Sequence, residues 1–135
     1  MPIIYKRLFF ENENLGKIID ALFNKYQFLF PTWVEYVRVE SVTPDEKGLD
    51  ELASTYTDWE KHIVTLVFRP LFFDTDETMQ ERVFIHEIMH TYTAALRSVT
   101  IPLVEDNSYP HKMIDMMTEV VTENLAQLVR TLLDK

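Results

Sequence analysis

Residues 84–92 read F-I-H-E-I-M-H-T-Y, and the spacing His86-Glu87-x-x-His90 constrains this chain more than any other stretch. On a helix, positions four apart differ by only about 40° around the axis, so both imidazoles can reach one ion. Glu87 is turned by roughly 100° from His86, which suits a water on that ion better than the ion itself. Zn²⁺ chemistry needs this division. Two neutral nitrogens hold the ion and keep it a strong Lewis acid, while the carboxylate takes a proton from the bound water. The bland alternative is an amphipathic helix whose histidines are hydrogen-bonded in a core or exposed. Context favours the first. Thr78 and Glu81 make a T-x-x-E capping box ahead of the motif, and Val83, Ile85, Ile88, Met89 and Leu96 supply apolar packing on a helix expected to reach about Arg97.

Two histidines leave a zinc site one protein ligand short. A continuation through glycine to a third histidine is excluded, because Thr93 and Leu96 occupy those positions, and no nearby aspartate pattern follows. The next helical stretch carries T-E-V-V-T-E-N-L-A, with Glu119 and Glu123 four apart on one face. One of these carboxylates can bind the ion while the other accepts a hydrogen bond from a ligand histidine and fixes its tautomer. A solvated pair of helix glutamates is the plain alternative.

The rest of the chain narrows the function classes. At 135 residues it fits one domain, 1–135. Its two glycines, Gly16 and Gly48, cannot build a glycine-rich phosphate loop. The formal net charge is −9 and the cations are scattered, which disfavours nucleic acid and anionic membrane surfaces. No cysteine is present, so disulfides, thiol nucleophiles and Cys-based metal sites are excluded. The N-terminal M-P-I-I-Y-K-R-L lacks the order of a secretory signal, and no apolar run approaches the ~18 residues of a membrane span. A cytoplasmic setting is expected.

Apolar spacing predicts a helix over 14–26, capped by Asn12 or Asn14. Strands are expected over 33–42, 52–57 and 62–69, the last two joined as a hairpin through 58–61, with a turn region at 43–50. Pro70 ends the third strand. A loop is expected over 99–107, and a last helix over 110–133 with Ile114, Met117, Val121, Leu125, Leu128 and Leu132 as its apolar stripe. The expectation is an α+β domain with a small, mostly antiparallel sheet.

This layout resembles the gluzincin metallopeptidases, in which H-E-x-x-H is followed by a glutamate on a second helix. It is most similar to their minimal, phage-type members of about this size. The matching pieces are W-V-E-Y-V-R-V-E, H-I-V-T-L-V-F-R-P, E-R-V-F-I-H-E-I-M-H and E-V-V-T-E-N-L-A, roughly two-thirds of the chain, of which the histidine motif alone is specific. The resemblance implies a small zincin-like fold with Zn²⁺ held by His86, His90 and Glu119, Glu123 behind the ligands, and Glu87 as catalytic base. It also implies a peptide or protein substrate laid in extended form along an edge strand, here 62–68. Tyr92, Tyr109 and His111 are candidates for the oxyanion-stabilising residue of larger relatives, and His62 reads as a surface residue.

Two other functions compete with a peptidase. One is a zinc-stabilised binding module without useful turnover. The other is a metal-free interaction protein whose acidic surface meets a basic partner.

Overall fold

The computed structural model describes residues 2–8, 10, 12–41, 52–100 and 108–134. The expected turn at 43–50 lies outside these residues, as does the expected loop at 99–107 beyond Thr100. The elements in chain order are β1 (Ile4–Leu8), α1 (Glu13–Tyr26), β2 (Tyr36–Ser41), β3 (Ala53–Asp58), β4 (Ile63–Phe68), α2 (Pro70–Phe73), α3 (Glu77–Thr100) and α4 (Ser108–Leu133). A 3₁₀ turn at Gln27–Leu29 closes α1. Among the described residues no helix is long and apolar enough to cross a membrane.

The sheet order is β1-β2-β4-β3, with β1–β2 and β2–β4 parallel and β3–β4 antiparallel. The expectation of a mostly antiparallel sheet is therefore wrong. It failed because I-Y-K-R-L forms a strand that its central Lys6-Arg7 pair conceals, and α1 is the crossover that brings β2 back parallel to it. Placing 62–68 at an edge is also wrong: β4 lies inside the sheet, paired with β2 on one side and β3 on the other, and the edges are β1 and β3.

One face of the sheet makes the core. Val37, Val39, Val64, Leu66 and Phe68 point to α1 and α3 and are buried, as are Ile19 and Phe23 of α1 and Phe84 and Ile88 of α3. The Phe84 ring stacks on Phe68 at 5.9 Å, and Phe68 meets Phe72 of α2 at 4.6 Å. Gly16 lies under the Arg7 side chain: a Cβ there would fall 1.6 Å from Arg7 Nη1, and Arg7 bonds to Glu13 and Asp20 across that point.

Asn12 caps α1, its side chain accepting from the Asn14 N–H at 2.8 Å. Asn12→Ala is expected to lower the unfolding free energy by about 1 kcal/mol, as a denaturant midpoint shift at unchanged slope would show. The start of α3 differs from expectation. Asp76, two residues earlier than Thr78, accepts from the Met79 N–H at 2.8 Å, while Glu81 pairs with Lys25 of α1 instead of closing a capping box.

The buried face of α4 is also displaced from the expected stripe. Met117, Val121, Leu128 and Leu132 are exposed; Thr122 and Ala126 are the positions sealed against the rest of the molecule. Small side chains let the α4 backbone come close to α3, and the hydroxyls of Thr93 and Thr122 meet there at 2.9 Å. On α3, Leu96 is likewise exposed while Phe84 is fully buried. That close contact carries the glutamates of α4 to the histidines of α3.

Candidate metal centre

Helix α3 presents two faces in one stretch. Phe84, Ile88 and Thr91 recur at core spacing and are fully buried, which holds the helix in one rotation on the sheet. The rotation turns His86 and His90 toward α4, with their rings 4.9 Å apart and their side chains 20% exposed. Glu119 of α4 meets both: its Oε2 lies 3.3 Å from His86 Nε2 and its Oε1 3.0 Å from His90 Nε2. Glu123, one turn further on, accepts from His86 Nδ1 at 2.6 Å, and its other oxygen lies 3.4 Å from Arg130 Nη2. Sequence spacing had left the order of the two glutamates open. In the structure Glu119 faces both Nε2 atoms and Glu123 stands behind His86.

A neutral imidazole carries one N–H. His86 meets a carboxylate at each ring nitrogen, so with Nδ1–H given to Glu123 its Nε2 lone pair is directed at Glu119. The carboxylate and the Nε2 atoms then converge on a point that can hold a cation. Spacing agrees. In a tetrahedral site with bonds of about 2.0–2.1 Å, donor atoms stand about 3.3 Å apart, the distance of Glu119 Oε2 from His86 Nε2, while Oε1 lies 3.0 Å from His90 Nε2. His86, Glu87 and His90 each also offer an atom within 4.8 Å of the others, a group able to hold a metal ion.

Electrostatics supports the same state. Burial lowers the His90 pKa from its ordinary value, against the opposing pull of Glu119, and so favours the neutral, ligating ring. Burial raises the Glu123 pKa, but the hydrogen bond from His86 and the nearby Arg130 guanidinium outweigh it, and the net shift is downward. Glu123 stays ionised and accepts the hydrogen bond from His86 Nδ1.

Thr55 is not among the residues that spacing and motif single out. Its position follows from the sheet register, in which Val39, Leu66 and Thr55 form one row across β2, β4 and β3. The row is apolar through the core and ends in a hydroxyl at the edge strand. Thr55 Oγ1 lies 2.7 Å from Glu87 Oε1 and 3.0 Å from the Glu87 carbonyl oxygen. Glu87 is 5% exposed, a carboxylate held under the floor of the site. Core-facing alternation in β3, Ala53-x-Thr55-x-Thr57, is the only sequence signal that could have drawn attention to it, and it requires knowing the strand's partner.

A cleft of about 620 Å³ opens over these groups between β3, α3 and α4, lined by Ala53 to Tyr56, His86, Glu87, His90 and Glu119. A second hollow of about 500 Å³ continues past His90 along Tyr56, Thr57, Ala94 and Thr118. The other sequence candidates stand apart from it. The Tyr92 hydroxyl donates to the Leu29 carbonyl. His111 is half-buried, lines neither hollow, and its Nε2 has no hydrogen-bond partner among the described residues. The Tyr109 side chain is outside the described set. His62 lies in the β3–β4 turn with φ 62°, its side chain 43% exposed and near Glu35. Comparison with protein-family models, with curated proteins and with solved structures gives no match.

Proposed function

We propose that this chain is a zinc-dependent peptidase of zincin-like architecture. The observation that carries the proposal is the approach of Glu119, from a second helix, to the Nε2 atoms of both α3 histidines, next to a carboxylate in the floor of an open cleft. His86, His90 and Glu119 would hold the ion, and their two nitrogens and one carboxylate suit Zn²⁺. When bound, the ion supplies Lewis acidity toward a water and toward the scissile carbonyl.

The chain's own groups account for the remaining steps. Glu87 accepts a proton from the attacking water and returns it to the leaving nitrogen as the peptide bond breaks. Thr55 donates to Oε1 of Glu87 and so fixes the plane of the carboxylate against the floor of the cleft. Glu123 accepts a hydrogen bond from His86 Nδ1–H, which sets that ring's tautomer and aims Nε2 at the ion. Strand β3 pairs with β4 on one side and with no described strand on the other, so its outer backbone groups can pair with an extended peptide.

Thr55→Val removes the hydroxyl and keeps the shape. It is expected to lower kcat about 10–100-fold, the worth of a hydrogen bond to a charged group, with KM and metal content unchanged and recovery in Thr55→Ser. Steady-state kinetics of the three proteins on one peptide would check this; a change in KM alone would make Thr55 a substrate contact instead.

A zinc-stabilised binding module without useful turnover shares the same donors. One observation favours it: among the described residues Tyr92 is tied to Leu29 and His111 stands outside the cleft, so neither offers a hydrogen bond to an oxyanion. Two measurements decide. Elemental analysis of chain purified without chelator is expected to find one zinc per molecule, and zinc-loaded chain is expected to cut members of a random peptide library in a chelator-sensitive way. Zinc without cleavage leaves the binding module, and no metal even after zinc is added back removes both.

A further inference from the structure

Two guanidinium groups at the His86 end of the cleft have no direct part in the proposed bond cleavage. Arg82 stands four residues before His86, one turn back and about 6 Å along the axis of α3. Arg130 comes from α4, seven residues beyond Glu123. Both line the main cleft, and both also line a smaller hollow of about 100 Å³ behind it, so they share one wall. The surface beside them is apolar, formed by Leu52, Met79 and Val83.

Their charges are poorly matched by the protein. Arg82 is exposed and makes no ion pair among the described residues. Its neighbour Glu81 is engaged by Lys25. Asp134 lines the smaller hollow but pairs with neither arginine. Arg130 reaches Glu123 only at 3.4 Å, and the other oxygen of that carboxylate already holds His86 Nδ1. Glu123 and Asp134 stand near, but Arg82 itself has no ion pair among the described residues, and an anion set between the two guanidinium groups would meet both charges. A guanidinium meets a carboxylate through two parallel hydrogen bonds, which makes a carboxylate its best-fitting small partner.

We propose that the Arg82–Arg130 wall binds a carboxylate of the substrate, an inference that rests on the peptidase reading. An extended peptide advances about 3.3 Å per residue, so a group about 6 Å from His86 belongs to a residue within two positions of the cleaved bond. The carboxylate is either an Asp or Glu side chain or the free C-terminus of the peptide.

The test uses N-acetylated random hexapeptides, one pool amidated at the C-terminus and one with the free acid. Zinc-loaded chain and its Arg82→Gln variant are compared for cleavage sites by mass spectrometry. Glu87→Gln forms of both, immobilised with zinc, are compared for the peptides they retain. Acidic residues are expected within two positions of the cut about tenfold more often than Asn or Gln, an effect of the size of one charged contact. The preference should vanish in Arg82→Gln at unchanged zinc content. Selection confined to the free-acid pool, with cuts near its C-terminus, assigns the wall to a terminal carboxylate. Cleavage without acidic selection, or selection that survives Arg82→Gln, overturns the carboxylate site and leaves the peptidase standing. Acidic selection among retained peptides without any cleavage does the reverse. Neither retention nor cleavage overturns both.

Discussion

Glu87→Gln is expected to lower peptide turnover by about 10²–10⁴-fold, the usual contribution of a positioned general base, while one zinc per chain stays bound. Glutamine has the same shape and keeps an oxygen for the Thr55 hydroxyl, so the floor of the cleft should not move. The amide cannot take a proton from water, and that single loss is what the variant isolates. Zinc should remain because His86, His90 and Glu119 converge without help from Glu87. The alternative is concrete, since Glu87 also lies within ligand reach of the two histidines. If the variant loses zinc together with activity, Glu87 is a ligand and the base lies elsewhere. If purified, metal-verified Glu87→Gln keeps wild-type turnover, the proposed chemistry is wrong.

Removing the ion should cost stability as well as activity. The three donors come from two helices, and an ion among them ties α3 to α4. A ligand present at about 100 times its Kd stabilises the folded state by about 2.7 kcal/mol. At about 4 °C per kcal/mol for a domain of this size, chelation should lower Tm by about 10 °C, reversibly on adding zinc. His90→Ala should melt at the chelated temperature with or without zinc. It should not unfold outright, because the Thr93–Thr122 contact and the buried Ala126 hold the helices together without the ion. Differential scanning calorimetry of both proteins, with chelator and with zinc, reads this directly. A wild-type Tm indifferent to chelator would mean that the cluster holds no ion at working concentration.

The parts of the site that were legible in the sequence are those governed by one helix at a time. His86 and His90, and Glu119 and Glu123, share a face because four residues make slightly more than one turn. What spacing within a helix could not give was the rotation of α4 about its axis. Its exposed face carries Met117, Val121 and Leu128, and its buried face Thr122 and Ala126, so a rule that looks for large apolar residues selects the wrong side. Thr55 was illegible for another reason: it acts on a residue 32 positions away, through a register that two strand pairings set. β1 was hidden by charge. Lys6 and Arg7 interrupt its apolar run, yet the Arg7 side chain folds over Gly16 to reach Asp20 and leaves the strand free to pair. Missing that strand left out a parallel pair, and the sheet was expected to be mostly antiparallel.

The single rotation of α3 has a consequence for how this chain can change over time. Phe84, Ile88 and Thr91 fix the helix to the sheet, and His86, Glu87 and His90 take their directions from that same pitch. Away from His86, Glu87 and His90, conservative substitutions along this stretch can be absorbed one at a time, but its length cannot vary. One inserted residue turns everything after it by about 100°, which would leave Phe84 in the core while swinging His90 away from Glu119. Between Phe84 and Thr93, variants of this protein that keep the chemistry should differ in letters and never in count.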